Sequence, residues 1–207
     1  MSKILITRPK YEIATHYLYF WSVILIQEAN KKGTLYDLEK KKVNRKNIES
    51  YLRKQNPEIV ILNGHGSEDC IVGNDDEIII SIENAGLLKD CNVYMRACSA
   101  GKILGKEIMK CGAKSFIGYK EPFHFYNKEE FIGKPLDDDY AKPFFDTSNQ
   151  VGISLIKGKN AKEAQEDSLR IYKKTIAMLL TSKSDNSFLV PDLLWNMSNQ
   201  VCYISND

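Results

Sequence analysis

The chain has 207 residues, 43% hydrophobic and 27% charged, with a formal net charge of +2. That balance argues against wholesale disorder and gives no electrostatic draw toward nucleic acid or an anionic membrane. Five cysteines, an odd number at irregular spacing with no CxxC pair, argue against a disulfide framework and against a zinc site.

The opening MSKILITRPK lacks an apolar h-region and a small-residue cleavage site. No secretory leader is therefore expected, and a cytoplasmic location with reduced thiols is. Residues 3–7, KILIT, predict a first strand, ended by Arg8 and Pro9. Apolar positions then recur at helical intervals over 11–32, and Gly33 is a natural stop. The longest apolar run, 17–26, is too short to cross a bilayer and fits a buried helix face. A second strand is predicted at 34–38. An amphipathic helix over 45–55 follows, with Ile48, Tyr51 and Leu52 on one face and Asn56-Pro57 at its end. The KKK and RK runs beside it read as a solvated face.

A third strand is expected at 58–62 and a fourth at 93–97. Between them, 78–82 reads as a small extra strand or hairpin after the turn-forming Asn74-Asp75-Asp76. The pattern Ile103, Leu104, Ile108 and Met109 predicts a helix starting near Ala100 and ending at Gly112, before a fifth strand at 114–119. Strands alternating with helices predict an α/β fold. The expectation is one three-layer domain over 1–207, with a mostly parallel central sheet flanked by helices. The stretch 120–143 is irregular, rich in aromatics, and carries the acidic run Asp137-Asp138-Asp139; a connection of that length is usually functional or mobile. Helices are predicted at 143–157 and 161–180, the second opening with Asn160 and Glu163 in capping-box spacing. The extension 181–207 offers an apolar segment at Leu193-Leu194-Trp195 and a last strand at 201–204.

Two segments concentrate the chemistry, IVILNGHG at 59–66 and NVYMRACSAG at 92–101. Each is a strand-forming run that ends on a reactive side chain, His65 in one and Cys98 in the other. In an open parallel sheet the site lies outside the carboxyl ends of the strands, so these tips bring a thiol beside an imidazole. Gly64 and Gly66 let the backbone turn sharply around the histidine. The expected helix near Ala100 would place Cys98 at a helix N-terminus, where a thiolate is stabilised. His65 then completes a thiolate–imidazolium pair or acts as general base. The bland alternatives are a small core cysteine and a turn histidine. Cys70, Cys91 and Cys111 read as structural, His16 as a helix residue, and His124 as the one rival base. Asp75, Asp76 and the 137–139 run have no spacing recognisable as a calcium loop.

A hydrophobic strand ending in His-Gly, then one ending in Ala-Cys, resembles the signature of caspase-like cysteine peptidases, which include caspases, metacaspases, gingipains, clostripain-like enzymes and bacterial CHAT domains. The matching blocks are NGHG and MRACSAG. The segment GAKSFIGYKEP at 112–122 is similar to the strand after the catalytic helix in the CHAT and gingipain branches, and GKNAKEA lies between helices like those closing CHAT domains. The resemblance covers roughly residues 1–180, and only the two strand-tip blocks are specific. The chain departs from the caspase pattern QACRG, and its histidine stands closer to the cysteine than about 50 residues, so it resembles a compact prokaryotic-type relative rather than a true caspase. The resemblance implies His65 as base, Cys98 as nucleophile, and the amides of Gly66 and Cys98 as oxyanion donors. It also implies that Arg96, two residues before the cysteine, lines the primary specificity pocket. A guanidinium there matches a carboxylate bidentately, and the alternative is a structural salt bridge to an acidic loop.

The leading expectation is thus a cysteine endopeptidase that cleaves protein or peptide substrates after an acidic residue, through an acyl-enzyme and without a cofactor. A second class is a non-catalytic binding or regulatory module of the same fold. A third, a nucleotide-binding doubly wound domain, is weakened because NGHG lacks a Gly-rich phosphate loop opening a helix after the first strand. The run 137–139 is either a self-cleavage or autoinhibitory segment or a solvated acidic loop.

Overall fold

The computed structural model describes residues 2–181 and 185–205. Its centre is a six-stranded sheet in the order β2-β1-β3-β7-β8-β9. The strands are β1 (Ser2–Arg8), β2 (Gly33–Glu39), β3 (Ile59–Asn63), β7 (Asn92–Arg96), β8 (Ser115–Tyr119) and β9 (Gln200–Ile204). All neighbours run parallel except β9, which pairs antiparallel with β8 and closes that edge. The expected α/β class with a mostly parallel sheet is therefore present.

The two-residue period of the strands builds two cores. Leu5, Val60, Leu62, Val93, Met95 and Phe116 face one way, onto α3 (Arg45–Gln55) and α4 (Leu104–Lys110). Ile4, Ile6, Ile59, Ile61, Tyr94 and Ile117 face the other, onto α2 (Val23–Lys32), α5 (Lys142–Ile156) and α6 (Ala161–Leu179). Central strands buried on both faces explain why they read as unbroken apolar runs. Each fully buried Ile, Leu or Val contributes roughly 1.5–3 kcal/mol over its exposed state. Among the described residues, no helix is long and apolar enough to cross a membrane.

A second, three-stranded antiparallel sheet lies beyond the tip of β3, formed by β4 (His65–Gly66), β5 (Cys70–Val72) and β6 (Ile78–Ser81). The hairpin expected at 78–82 is its β6. Its two further strands hold His65 in backbone pairing opposite Val72.

Two helix expectations need correction. The helix over 11–32 is two, α1 (Ile13–Trp21) and α2, interrupted at Ser22. The buried Ser22 hydroxyl donates to the Leu18 carbonyl at 2.6 Å, a back-bond of the kind that bends helices. The helix expected near Ala100 starts instead at Leu104. Ser99 takes a left-handed φ of 57°, and the Gly101 amide donates to Tyr119 at 2.9 Å, so residues 99–103 are tied to β8 as turns.

The irregular stretch after β8 is docked rather than loose. Asp138 is fully buried and accepts from the Tyr17 hydroxyl (2.6 Å) and from the amides of Lys128 (2.9 Å) and Tyr140 (3.0 Å). The acidic run is thus not a uniformly solvated loop, and its central residue is inaccessible. The capping box at Asn160 and Glu163 is present, and the apolar segment around Leu193 forms α7 (Val190–Asn199), which leads directly into β9. Residues 182–184 and 206–207 of the expected C-terminal extension lie outside the described residues.

Candidate active site

The order β1-β3-β7 places three strand tips side by side, with β2 lying outside β1 and β3 inside it. The chain reverses direction across the sheet there, so a crevice opens above the carboxyl ends of these strands. The tips are bound laterally. The Asn63 amide donates to Thr7 Oγ1 at 2.9 Å, the Asn63 side-chain amide donates to the Thr7 carbonyl, and Arg96 Nε donates to Asn63 Oδ1 at 2.6 Å. Arg8, last in β1, pairs with Asp37 and with Glu39 of β2 (3.2 Å to the latter), which anchors the chain before it turns into α1.

Above this row, His65, Arg96 and Cys98 line one cleft, walled by Phe123, Phe125 and Phe145. The two sequence blocks therefore meet. Their backbones touch as well: a Cβ on Gly66 would fall 2.4 Å from the Cys98 carbonyl oxygen and 3.0 Å from its amide nitrogen. Only glycine permits that approach. The left-handed Ser99, directly after Cys98, is a strained position of the kind that gathers at functional sites.

Cys98 is half-buried and unpaired. Burial pushes its thiol above the ordinary value, and a backbone hydrogen bond from Phe123 pulls it part of the way back. With α4 beginning only at Leu104, Cys98 does not sit at that helix's N-terminus. Its surroundings thus favour the neutral thiol over the thiolate.

Arg96 is 4% exposed. Its donors go to neutral partners: Nε to Asn63, Nη1 to Asn149 at 2.6 Å, and Nη2 to Ser22 Oγ. No ion pair among the described residues includes it. Burial lowers its pKa, with the neighbouring Tyr94 and Tyr119 acting in the opposite sense. The alternative of a structural salt bridge is absent among the described residues; the guanidinium is a buried cation held by neutral partners there, and its burial carries a desolvation cost that no counter-ion among them offsets. Asn63, Asn149 and Ser22, its supports, are buried polar residues on three separate elements, and no sequence spacing marks them.

The side chain that sequence reading missed is Glu12, the N-cap of α1 just past the tip of β1. Its Oε1 lies 3.0 Å from His65 Nε2. The usable signal was an acidic residue with a threonine three positions on, immediately before a helical pattern that follows a strand tip. Tyr11 sets its ring edge-on against His65, with centroids 6.1 Å apart, and its hydroxyl donates to Asp76 at 2.7 Å.

The rival residues lie elsewhere. His16 is 2.7 Å from the Ile132 carbonyl and packs against Phe20. His124 bonds Asp192 at 2.6 Å and stacks on Trp195. The Cys91 thiol donates to the Pro57 carbonyl at 3.1 Å, Cys70 sits in β5, Cys111 follows α4, and none of these lines the cleft.

Compared with known proteins, the sequence matches no family model and no curated protein.

Proposed function

We propose that this chain is a cysteine endopeptidase of the caspase-like type, cleaving after a short acidic residue through an acyl-enzyme. The observation that carries the reading is the convergence of Cys98 and His65, from two adjacent strand tips, on one cleft that also holds a buried arginine with only neutral partners among the described residues. His65 takes the thiol proton as Sγ bonds the scissile carbonyl carbon. The oxyanion of the tetrahedral intermediate falls to the amides of Gly66 and Cys98, whose backbones lie together. The carbon–nitrogen bond then breaks and His65 returns the proton to the leaving amine; water, deprotonated by His65, adds to the thioester carbonyl, the carbon–sulfur bond breaks to release the acid, and His65 hands its proton back to Sγ. No cofactor enters this sequence.

Arg96 supplies the substrate preference. The cleft holds about 40 Å³ of free space, a few waters' worth at roughly 10–15 Å³ each. That suits a short carboxylate and not a long basic side chain. A wider depression of about 330 Å³, bordered by Tyr11, Glu12 and His16, adjoins it and offers room for flanking peptide.

A non-catalytic binding module is the second reading, favoured by the raised thiol and the narrow cleft. Peptide-library cleavage by the purified protein separates the two. Cleavage after Asp that disappears in Cys98→Ala supports the peptidase; cleavage after Lys or Arg removes the role given to Arg96. Tight binding of acidic peptides without turnover establishes the module.

A further inference from the structure

Glu12 serves two neighbours at once, a helix start through hydrogen bonds and an imidazole at ion-pair distance. Oε2 accepts from the Ala14 amide at 2.9 Å and Oε1 from the Thr15 amide at 2.6 Å, while Thr15 Oγ1 accepts from the amide of Glu12 at 3.2 Å. This closes a capping box at the start of α1. The same Oε1 contacts His65 Nε2 at 3.0 Å.

Capping alone does not explain the residue. Ser, Thr, Asp and Asn are the favoured N-caps, because a short side chain already reaches the first free amides of the helix. Glutamate is longer than that task requires. Its extra methylene is what lets one oxygen serve the helix and reach the imidazole together. Burial works to raise the Glu12 pKa, but the amides of Thr15 and Ala14, with His65 beside them, leave it lowered. The carboxylate is therefore ionised across the neutral range.

We propose that Glu12 is the positioning residue of the site, holding His65 as the Nε2–H tautomer with Nδ1 free to take the Cys98 proton. The inference rests on the peptidase reading of the cleft. A carboxylate on one ring nitrogen fixes which nitrogen is the base, and it steadies the imidazolium formed when the thiol proton moves to Nδ1. Glu12 itself stays ionised throughout, and Nδ1 later delivers the proton to the leaving amine. Tyr11, tethered to Asp76, also packs edge-on against the imidazole. Three adjacent strand tips thereby supply the three members in spatial order, Glu12 after β1, His65 after β3 and Cys98 after β7.

The test uses Glu12→Ser and Glu12→Asp, which both retain a good N-cap while withdrawing the carboxylate from His65. Expected in both are an unchanged fold, a His65 ¹⁵N spectrum that passes from one tautomer to a mixture, and a kcat about 100-fold lower with KM nearly unchanged. Loss of such an orienting carboxylate costs about 10⁴-fold in a serine protease triad; Glu12 is 37% exposed, so water blunts the effect. Glu12→Gln, which keeps the length and one capping oxygen, should fall between these variants and the wild type. Glu12→Asp carries the test alone if the serine variant loses α1. Wild-type kcat in Glu12→Ser, with Cys98→Ala inactive, overturns the inference and leaves the peptidase reading standing. A wild type that cleaves no peptide, yet shows the single Nε2–H tautomer, sinks the peptidase reading and any catalytic role for Glu12 with it.

Discussion

Gly66 and Cys98 are in backbone contact, so the loop that carries His65 and the loop that carries the thiol lie as close as they do only because a single methyl group is missing. Adding it puts a carbon 2.4 Å from the Cys98 carbonyl oxygen and 2.8 Å from the Ala97 Cβ. Gly66→Ala should push the two tips apart. We expect a loss of about 1–3 kcal/mol in stability, typical of overpacking, and a much larger proportional loss of activity. Denaturant melts beside kcat/KM measurements check this, and equal, small losses in both would show that the contact is not what aligns the site.

Arg96 predicts a linkage between ligand charge and stability. Arg96→Gln removes an uncompensated buried cation, yet leaves Asn63, Asn149 and Ser22 short of donors. A net loss of about 1–3 kcal/mol is expected from those groups. The decisive reading is differential. A peptide aldehyde ending in Asp should raise the melting temperature of the wild type and not that of Arg96→Gln, and should outdo one ending in Lys. Equal shifts for both aldehydes would remove the carboxylate role.

The Cys98 thiol predicts a pH profile. Burial disfavours the thiolate, so its pKa is raised in the free protein. Alkylation by iodoacetamide should therefore rise with a midpoint above about 8.5, the value of a free cysteine. A midpoint near neutrality in the absence of ligand would mean a preformed thiolate–imidazolium pair, contrary to the surroundings of the sulfur.

Acid should unfold the protein through paired carboxylates. Lys159 and Ser154 hold the Asp167 carboxyl below its usual value, and Glu12 is lowered as well. A depressed folded pKa adds stability that is fully present above the unfolded value and is lost as pH falls through the folded one. Melting temperature should hold steady down to about pH 4 and drop below it. Asp167→Asn should reduce stability at pH 7 and flatten that drop; a parallel downward shift at every pH would place the acid sensitivity elsewhere.

Much of the fold was legible because the central strands are buried on both faces. KILIT, IVILN and NVYMR leave no room for helical periodicity, and each lies within a residue or so of where its pattern predicts. Legibility failed where tertiary bonds outweigh local pattern. Nothing in the run around Ser22 announces a break, since the hydroxyl that bends the helix is held by Arg96, 74 residues away. Ile103 and Leu104 suggested a helix from Ala100, but the bond from Gly101 to Tyr119 keeps that turn open. The pairing of His65 with Val72 in β5 depends on a register that no short motif encodes. Of the site, the strand tips gave His65, Cys98 and Arg96 through their endings. Glu12 stayed hidden because its contact to His65 comes from the lateral order of β1 and β3, which spacing along the chain does not reveal.

The walls of the cleft arrive late in synthesis. Phe145 lines it and Asn149 steadies Arg96, and both belong to α5, well downstream of the thiol. At about 5–20 residues per second, a ribosome needs several seconds to pass from Cys98 to Asn149. During that interval the nascent chain carries Cys98 and His65 without the Phe145 wall of their cleft, and Arg96 lacks the Asn149 oxygen that it donates to in the folded protein. Completion of the cleft is thus timed by translation itself: the two strand tips gain their Phe145 wall, and Arg96 its Asn149 partner, only once α5 docks.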